Sequence, residues 1–230
     1  MPAYGKCPRK HQARDLTVVQ AYRNLTGLRS IPKDQQYWTL CGPLADSTGG
    51  LQPGCELIHV LEAGLLLRPS QFHGVERLEE VHLASLAAVR GAFRGKQPNL
   101  YHGEFHTVLE QALSRKALKP AIVNLDTLYE PTSAAVLLGQ VLHLLNYVPG
   151  PKMVILNVIV DNPRYGRRHS MQRLVEAVRS DAFCHHQLGF GWVESDQGLI
   201  YAGTGKTSVK MGTTIFYQPY REAACRVTSD

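Results

Sequence analysis

KMVILNVIV, residues 152–160, is the stretch that decides the fold. Apolar side chains occupy both alternating faces of this segment, and only Asn157 interrupts them within it. A strand that is apolar on both faces is typical of a parallel sheet covered by helices on each side. The stretch therefore predicts an α/β protein with this strand near the centre of the sheet.

Segments with strand and helix patterns alternate outward from this strand. Four further strands are predicted before it, at 37–42, 72–76, 99–105 and 120–131. Each is followed by a segment with helical spacing of its apolar residues, and another such segment lies around 170–180. Only strand-like segments remain in 190–219. Five strand–helix repeats and a closing antiparallel hairpin predict a doubly wound, mostly parallel sheet of about seven strands with helices on both faces.

The motif GTGKT near the C-terminus has the letters of a phosphate-binding loop. Such a loop needs a glycine five residues before its Gly-Lys pair, where this chain has the β-branched Ile200. The residues after Lys206 alternate like a strand, whereas a phosphate-binding loop leads into a helix. We therefore interpret residues 203–206 as the tip of the closing hairpin.

Length and composition indicate one main domain. The 230 residues are 44% hydrophobic, enough for a full core. We assign residues 1–36 to a basic N-terminal arm with one helix, 37–219 to the α/β domain and 220–230 to a tail. No apolar run is long enough to cross a membrane, and the N-terminus lacks an apolar signal, so a cytoplasmic location without membrane contact is expected. The five scattered cysteines are expected to be free thiols.

Basic residues are concentrated in two places. The net charge is +6, and the clusters lie in the N-terminal arm and at 164–173. Clustered positive charge is compatible with binding to the phosphates of a nucleic acid, although it is also common on solvated faces. A protein partner or self-association stays open. The candidate phosphate-binding residues are Lys6, Arg9, Lys10, Arg14, Arg164, Arg167, Arg168 and Lys206.

Acidic residues lie at the ends of three of the first four predicted strands. They are Glu76, Glu104 and Asp126. The carboxyl ends of parallel strands meet at one edge of the sheet, where ligands bind in doubly wound folds. Each acid alone could simply cap the following helix, because a helix N-terminus favours negative charge. Three acids at the same topological position favour a ligand site instead.

With FHGVER, YHGEF and NLDTLYEP at these strand ends, residues 37–219 resemble the class I S-adenosylmethionine-dependent methyltransferases in element order and in the position of the acids. The resemblance implies S-adenosylmethionine as cofactor. It implies that Glu76 holds the ribose, that Glu104 and Phe105 hold the adenine, and that the catalytic residues Asp126 and Tyr129 face the acceptor. The implied cofactor-binding residues are Cys41, Gly42, Pro43, Glu76, Arg77, Glu104, Phe105 and Asp126.

The loop after the first strand departs from the family. The family has a glycine-rich GxGxG loop there, whereas this chain has CGPLADSTGG. Either a longer loop does the same work, with Asp46 meeting the cofactor's amino group, or cofactor binding has been lost. The tetrad DTLY also differs from the DPPY-type motif of enzymes that methylate base amino groups. These departures leave the acceptor atom open.

Three functions remain on this evidence. The first is methyl transfer to a nucleic acid or a nucleic-acid-associated substrate. The second is a non-catalytic binding or scaffold subunit on the same fold, and the third is an enzyme that uses NAD or a nucleotide sugar. The histidine pairs His102/His106 and His185/His186 are read as solvated or capping side chains, so no metal is predicted.

Overall fold

The computed structural model describes residues 12–115, 118–127, 131–162, 167–168, 171–202 and 210–219. Side chains are described for these residues except at 161–162, 167–168, 171–172, 196–198 and 201–202. The predicted hairpin tip at 203–206 therefore lies outside the described residues.

One sheet organises the chain. Its strands are β1 (Gln36–Leu40), β2 (Phe72–Glu76), β3 (Asn99–His102), β4 (Pro120–Asp126), β5 (Lys152–Asn162), β6 (Arg167–Arg168), β7 (Val193–Ala202) and β8 (Lys210–Gln218). The order across the sheet is β3-β2-β1-β4-β5-β8-β7, with the short β6 paired to the end of β5. The pairings among β1 to β5 are parallel, while β8 runs antiparallel to both β5 and β7. The predicted fold class is confirmed.

Helices connect the strands. The α-helices are α1 (Ala21–Thr26), α2 (Glu56–Glu62), α3 (Glu79–Ala92), α4 (Phe105–Arg115), α5 (Pro131–Asn146), α6 (Met171–Ser180) and α7 (Ala182–Leu188). A π-helical segment, Asp15–Gln20, runs directly into α1, and a 3-10 turn, Pro69–Gln71, precedes β2. Among the described residues, no helix is long and apolar enough to cross a membrane.

The sheet carries a hydrophobic core on each face. Alternate residues of each strand point to opposite faces, so Tyr37 and Trp38 belong to different cores. One core packs against α4, α5, α6 and α7, and the other against α1, α2 and α3. β5 supplies Val154 to the first core and Ile155 to the second, and both are fully buried. This confirms the interpretation of 152–160 as a strand buried on both faces.

The described part of the N-terminal arm packs onto the domain. Val18, Val19 and Tyr22 are buried in the second core. Arg23 donates a hydrogen bond to the carbonyl of Ala63 at 2.7 Å, just beyond the end of α2. The division into arm, domain and tail stays a prediction, but residues 13–31 contribute to the same core as the sheet.

Several strand bounds differ from the sequence prediction, and one helix was not predicted. β3 ends at His102, three residues early, because Gly103 turns the chain with φ +140° and its N–H binds the Glu76 carbonyl. β4 ends at Asp126, although the strand pattern was extended to 131. Helix α7 was not predicted; its signal is Asp181, whose side chain accepts from the N–H of Cys184 as a helix N-cap.

Gly139 permits the close contact between α5 and α7. A Cβ on Gly139 would lie 3.1 Å from the Cα of Cys184 and 3.1 Å from Cδ1 of Phe183. We expect Gly139→Ala to lower the free energy of unfolding by about 1–3 kcal/mol, because the helices must separate. The matched control is Gly91→Ala in α3, where a Cβ meets nothing within 4 Å. It should raise stability by up to about 1 kcal/mol in urea denaturation. Equal effects at both positions would contradict this packing.

Candidate functional site

A cavity of about 440 Å³ opens at the carboxyl ends of β1, β2 and β4. The strand order reverses here: β2 lies on one side of β1 and β4 on the other. Connections from neighbouring strands leave in opposite directions at such a point, so a crevice forms between them. The lining residues are Arg14, Leu40, Cys41, Gly42, Pro43, Gln52, Gly54, Cys55, Glu56, Val75, Glu76, Arg77, Leu78, Val81, Gly103, Glu104, Phe105, Asp126, Thr127 and Leu137.

The cavity gathers all the cofactor-binding residues named from the sequence. These are Cys41, Gly42, Pro43, Glu76, Arg77, Glu104, Phe105 and Asp126. Sequence reasoning missed Arg14 as a wall residue of this cavity and missed Glu56 altogether. The predicted catalytic residue Tyr129 lies outside the described residues.

Glu76 and Glu104 differ in their surroundings. One oxygen of Glu76 accepts the N–H of Leu78 at 2.9 Å, so this carboxylate also closes the turn after β2. Glu104 faces Arg77 across 3.9 Å, and both side chains are more than half exposed. An ion pair this exposed contributes little to stability. Both carboxylates thus lie at the β2 and β3 side of the cavity. Glu104, which follows β3, is the more exposed of the two.

The other predicted wall residues are more enclosed. Phe105 is only 2% exposed and belongs to the first core, so most of its ring is unavailable to cover a ligand. Asp126 is half-buried at the end of β4. Thr127 is held next to it, because its N–H and its hydroxyl both donate to the carbonyl of Asn157. The end of β4 is therefore a fixed wall of the cavity.

In the loop after β1, the side chain of Asp46 forms its hydrogen bonds within the loop itself. Asp46 accepts hydrogen bonds from the N–H and hydroxyl of Thr48 and from the N–H of Gly50, at 2.7–3.0 Å. Ala45 and Leu51 form a β-bridge that closes this turn. Asp46 is absent from the cavity lining. The expected contact between Asp46 and a cofactor's amino group stays a prediction, and in this structure Oδ1 of Asp46 is used in the turn.

A buried carboxylate instead comes from the first residue of α2. Glu56 is 1% exposed. Its Oε1 accepts from the hydroxyl of Tyr37, from the hydroxyl of Thr39 at 3.1 Å and from the side-chain amide of Asn124 at 2.6 Å. Burial, followed by the charge of Glu56, raises the pKa of Tyr37 well above its ordinary value, so this hydroxyl remains a donor.

These hydrogen bonds continue across the sheet. The amide of Asn157 on β5 donates to Oδ1 of Asn124 at 2.9 Å, and the hydroxyl of Thr213 on β8 donates to Oδ1 of Asn157. All these side chains are buried. Buried polar groups must be paired to avoid a large desolvation cost, and each of these side chains forms a hydrogen bond with the next one in the series. The network therefore fixes where the Glu56 carboxylate sits.

Arg14 occupies a different place from the one expected for a phosphate-gripping arm. Its guanidinium lies 3.7 Å from Oε2 of Glu56, and its side chain is 15% exposed. A buried carboxylate requires a nearby cation, and Arg14 supplies it. Arg14 thus belongs to the cavity wall. Of the other predicted phosphate-binding residues, Arg167 and Arg168 form β6, and Lys6, Arg9, Lys10, Arg164 and Lys206 lie outside the described residues.

Cysteine chemistry is disfavoured at this cavity. Burial, followed by the charges of Glu76 and Glu56, raises the pKa of Cys41 far above its ordinary value. Cys41, Cys55 and Cys184 are buried free thiols. No group of three metal-binding side chains occurs within the described part of the chain.

The three thiols should resist alkylation in the folded protein, because the thiolate is the reactive form. Burial raises the pKa of Cys184 to about 12 and also raises that of Cys55. Iodoacetamide at pH 8 followed by peptide mass spectrometry should leave all three unmodified. The same treatment in denaturant is the control and should modify them. Rapid labelling of Cys41 in the folded protein would contradict the burial argument.

Removing the Asn124 amide should weaken the fold more than breaking the far end of the network. Asn124→Leu leaves Oε1 of Glu56 short of one buried donor, so we expect a loss of about 2–4 kcal/mol. Thr213→Val removes a neutral hydrogen bond at the other end, and about 1 kcal/mol is expected. Thermal and urea unfolding measure both. A Thr213→Val loss as large as that of Asn124→Leu would contradict a network centred on Glu56.

No protein-family model and no curated protein sequence matches this chain. Solved structures do match it. A presumed O-methyltransferase from Klebsiella pneumoniae superposes with a TM-score of 0.54 at 16% identity, over 95% of this chain and 84% of that protein. An O-methyltransferase from Bacillus cereus, in complex with SAH, superposes with a TM-score of 0.51 at 13% identity, over 90% of each chain. The chain therefore shares the Rossmann-like fold of these two structures.

Proposed function

We propose that this protein binds S-adenosylmethionine in the cavity at the ends of β1, β2 and β4 and transfers its methyl group to an acceptor. The observation that carries the proposal is the convergence of Glu76, Glu104 and Asp126 on one cavity at the point where the strand order reverses. A volume of about 440 Å³ lies within the usual range of small-ligand sites. The Bacillus cereus structure with the same fold holds SAH.

The residues of the cavity fit such a cofactor. Glu76 is the last residue of β2, where a carboxylate accepts both hydrogen bonds of a ribose diol in nucleoside-binding sheets. Glu104 and Arg77 offer an acceptor and a donor at the open side for the edge of the adenine. Val75, Val81 and Leu78 supply apolar wall for the flat face of the base. Phe105 lines the cavity but is only 2% exposed, so it contributes little contact surface.

The chain's own residues would orient the acceptor and take up its proton. When bound, S-adenosylmethionine supplies a methyl group activated by a positively charged sulfonium. Asp126, at the end of β4 beside the fixed Thr127, is the proposed residue that orients the acceptor and takes a proton from it. Tyr129 is assigned the acceptor side of the site by its position two residues beyond Thr127. Most of the rate increase would come from alignment of the two reactants.

A nucleic acid or a nucleic-acid-associated molecule is the proposed acceptor class. The support is the net charge of +6 and the basic clusters at the N-terminus and at 164–173. The cluster at 164–173 follows β5, whose end pairs with β6. Lys6, Arg9, Lys10, Arg164, Arg167, Arg168 and Lys206 are the proposed phosphate contacts. A non-catalytic subunit that binds the cofactor or a partner without transferring methyl is the alternative.

Calorimetric titration with S-adenosylmethionine and SAH tests cofactor binding. We expect saturable one-site binding of both. Glu76→Gln should weaken SAH binding by about 10- to 100-fold, because the ribose loses a charged acceptor. Glu79→Gln is the matched control, since Glu79 begins α3 outside the cavity lining. It should leave the affinity unchanged.

Failure to bind either compound by a folded sample would contradict the proposal and favour the non-catalytic alternative. Equal affinity of the Glu76→Gln variant and the wild type would contradict the ribose assignment alone. Incubation with radiolabelled S-adenosylmethionine and total cellular RNA, DNA or protein then identifies the acceptor class by which fraction takes up label.

A further inference from the structure

Glu56 carries an oxygen that accepts no hydrogen bond among the described residues. Three donors converge on its Oε1, but Oε2 has no hydrogen-bond partner among the described residues, although it is buried. Its near neighbour is the guanidinium of Arg14 at 3.7 Å, beyond hydrogen-bond length. A buried carboxylate oxygen that accepts no hydrogen bond is costly for a protein to keep. Its position on a cavity wall indicates that a ligand donor satisfies it.

Glu56 and Arg14 together have the charges of a receptor for a zwitterion. Both line the cavity, and one is an anion and the other a cation. An amino-acid group presents an ammonium and a carboxylate on the same carbon, so the ammonium can pair with Glu56 while the carboxylate pairs with Arg14. Gln52 is buried beside them on the same wall.

In this structure, the loop after β1 does not offer an acid to bind the ammonium group. Asp46 is used within its own turn. Glu56 is therefore the buried acid on this side of the cavity, while Glu76 and Glu104 stand on the β2 and β3 side. A ligand with a nucleoside at one end and an amino acid at the other matches this division.

We propose that Glu56 and Arg14 form a clamp for the amino-acid end of the cofactor, in place of a glycine-rich loop. The inference rests on the proposed function and names residues outside the strand ends. Oε2 is closed to solvent while Arg14 lies against it. Binding therefore requires the Arg14 side chain to swing from Glu56 onto the carboxylate of the ligand. The network through Tyr37, Thr39 and Asn124 holds Glu56 in place meanwhile.

The test compares two ligands that differ only at that end. SAH carries the amino-acid group, and 5′-methylthioadenosine lacks it. Glu56→Gln keeps an oxygen to accept the three internal hydrogen bonds but removes the charge. We expect this variant to bind SAH about 10- to 100-fold more weakly and to bind 5′-methylthioadenosine within about twofold of the wild type. Arg14→Gln should show the same selectivity.

Glu62→Gln, at the exposed far end of the same helix, is the matched control and should change neither affinity. Equal weakening of both ligands by Glu56→Gln would show a structural role and overturn the clamp. Unchanged SAH affinity would overturn it as well. No binding of SAH or 5′-methylthioadenosine to the wild-type chain would instead contradict the proposed function, and the clamp with it.

Discussion

The reversal of strand order beside β1 is the constraint on which the site depends. β2 and β4 flank β1, so the connections after these strands diverge and leave a crevice between them. The side chains at the carboxyl ends of β1, β2 and β4 therefore line that crevice. Cys41 and Asp126, although 85 positions apart in the chain, line the same cavity for this reason. The order of the strands, and no particular sequence motif, produces the cavity.

A second constraint acts within the crevice, because a carboxylate is buried at its floor. Glu56 begins a helix that packs on one face of the sheet. Asn124 on β4, Asn157 on β5 and Thr213 on β8 are buried, and they pass hydrogen bonds from one strand to the next up to the Glu56 carboxylate. These three polar side chains thus support the cavity wall.

The sequence predicted the architecture well, since the signals were periodic and repeated. Strand β2 and the start of β4 lie where the alternation places them, and the apolar 152–160 segment is the buried β5. The strand-end residues also converge as expected from parallel topology. Glu56 was missed because it lies 16 positions after Leu40, beyond a loop whose path no local pattern fixes. Arg14 was read as part of a surface arm, since its pairing with Glu56 is a long-range contact.

A crystal structure grown with saturating SAH tests the account most directly, because it locates both ends of the ligand at once. The account predicts ribose density at Glu76 and the amino-acid end against Glu56, with the Arg14 guanidinium turned onto the ligand carboxylate. Density in the reverse orientation, or a cavity that remains empty while the protein is folded and the ligand is in excess, would contradict it.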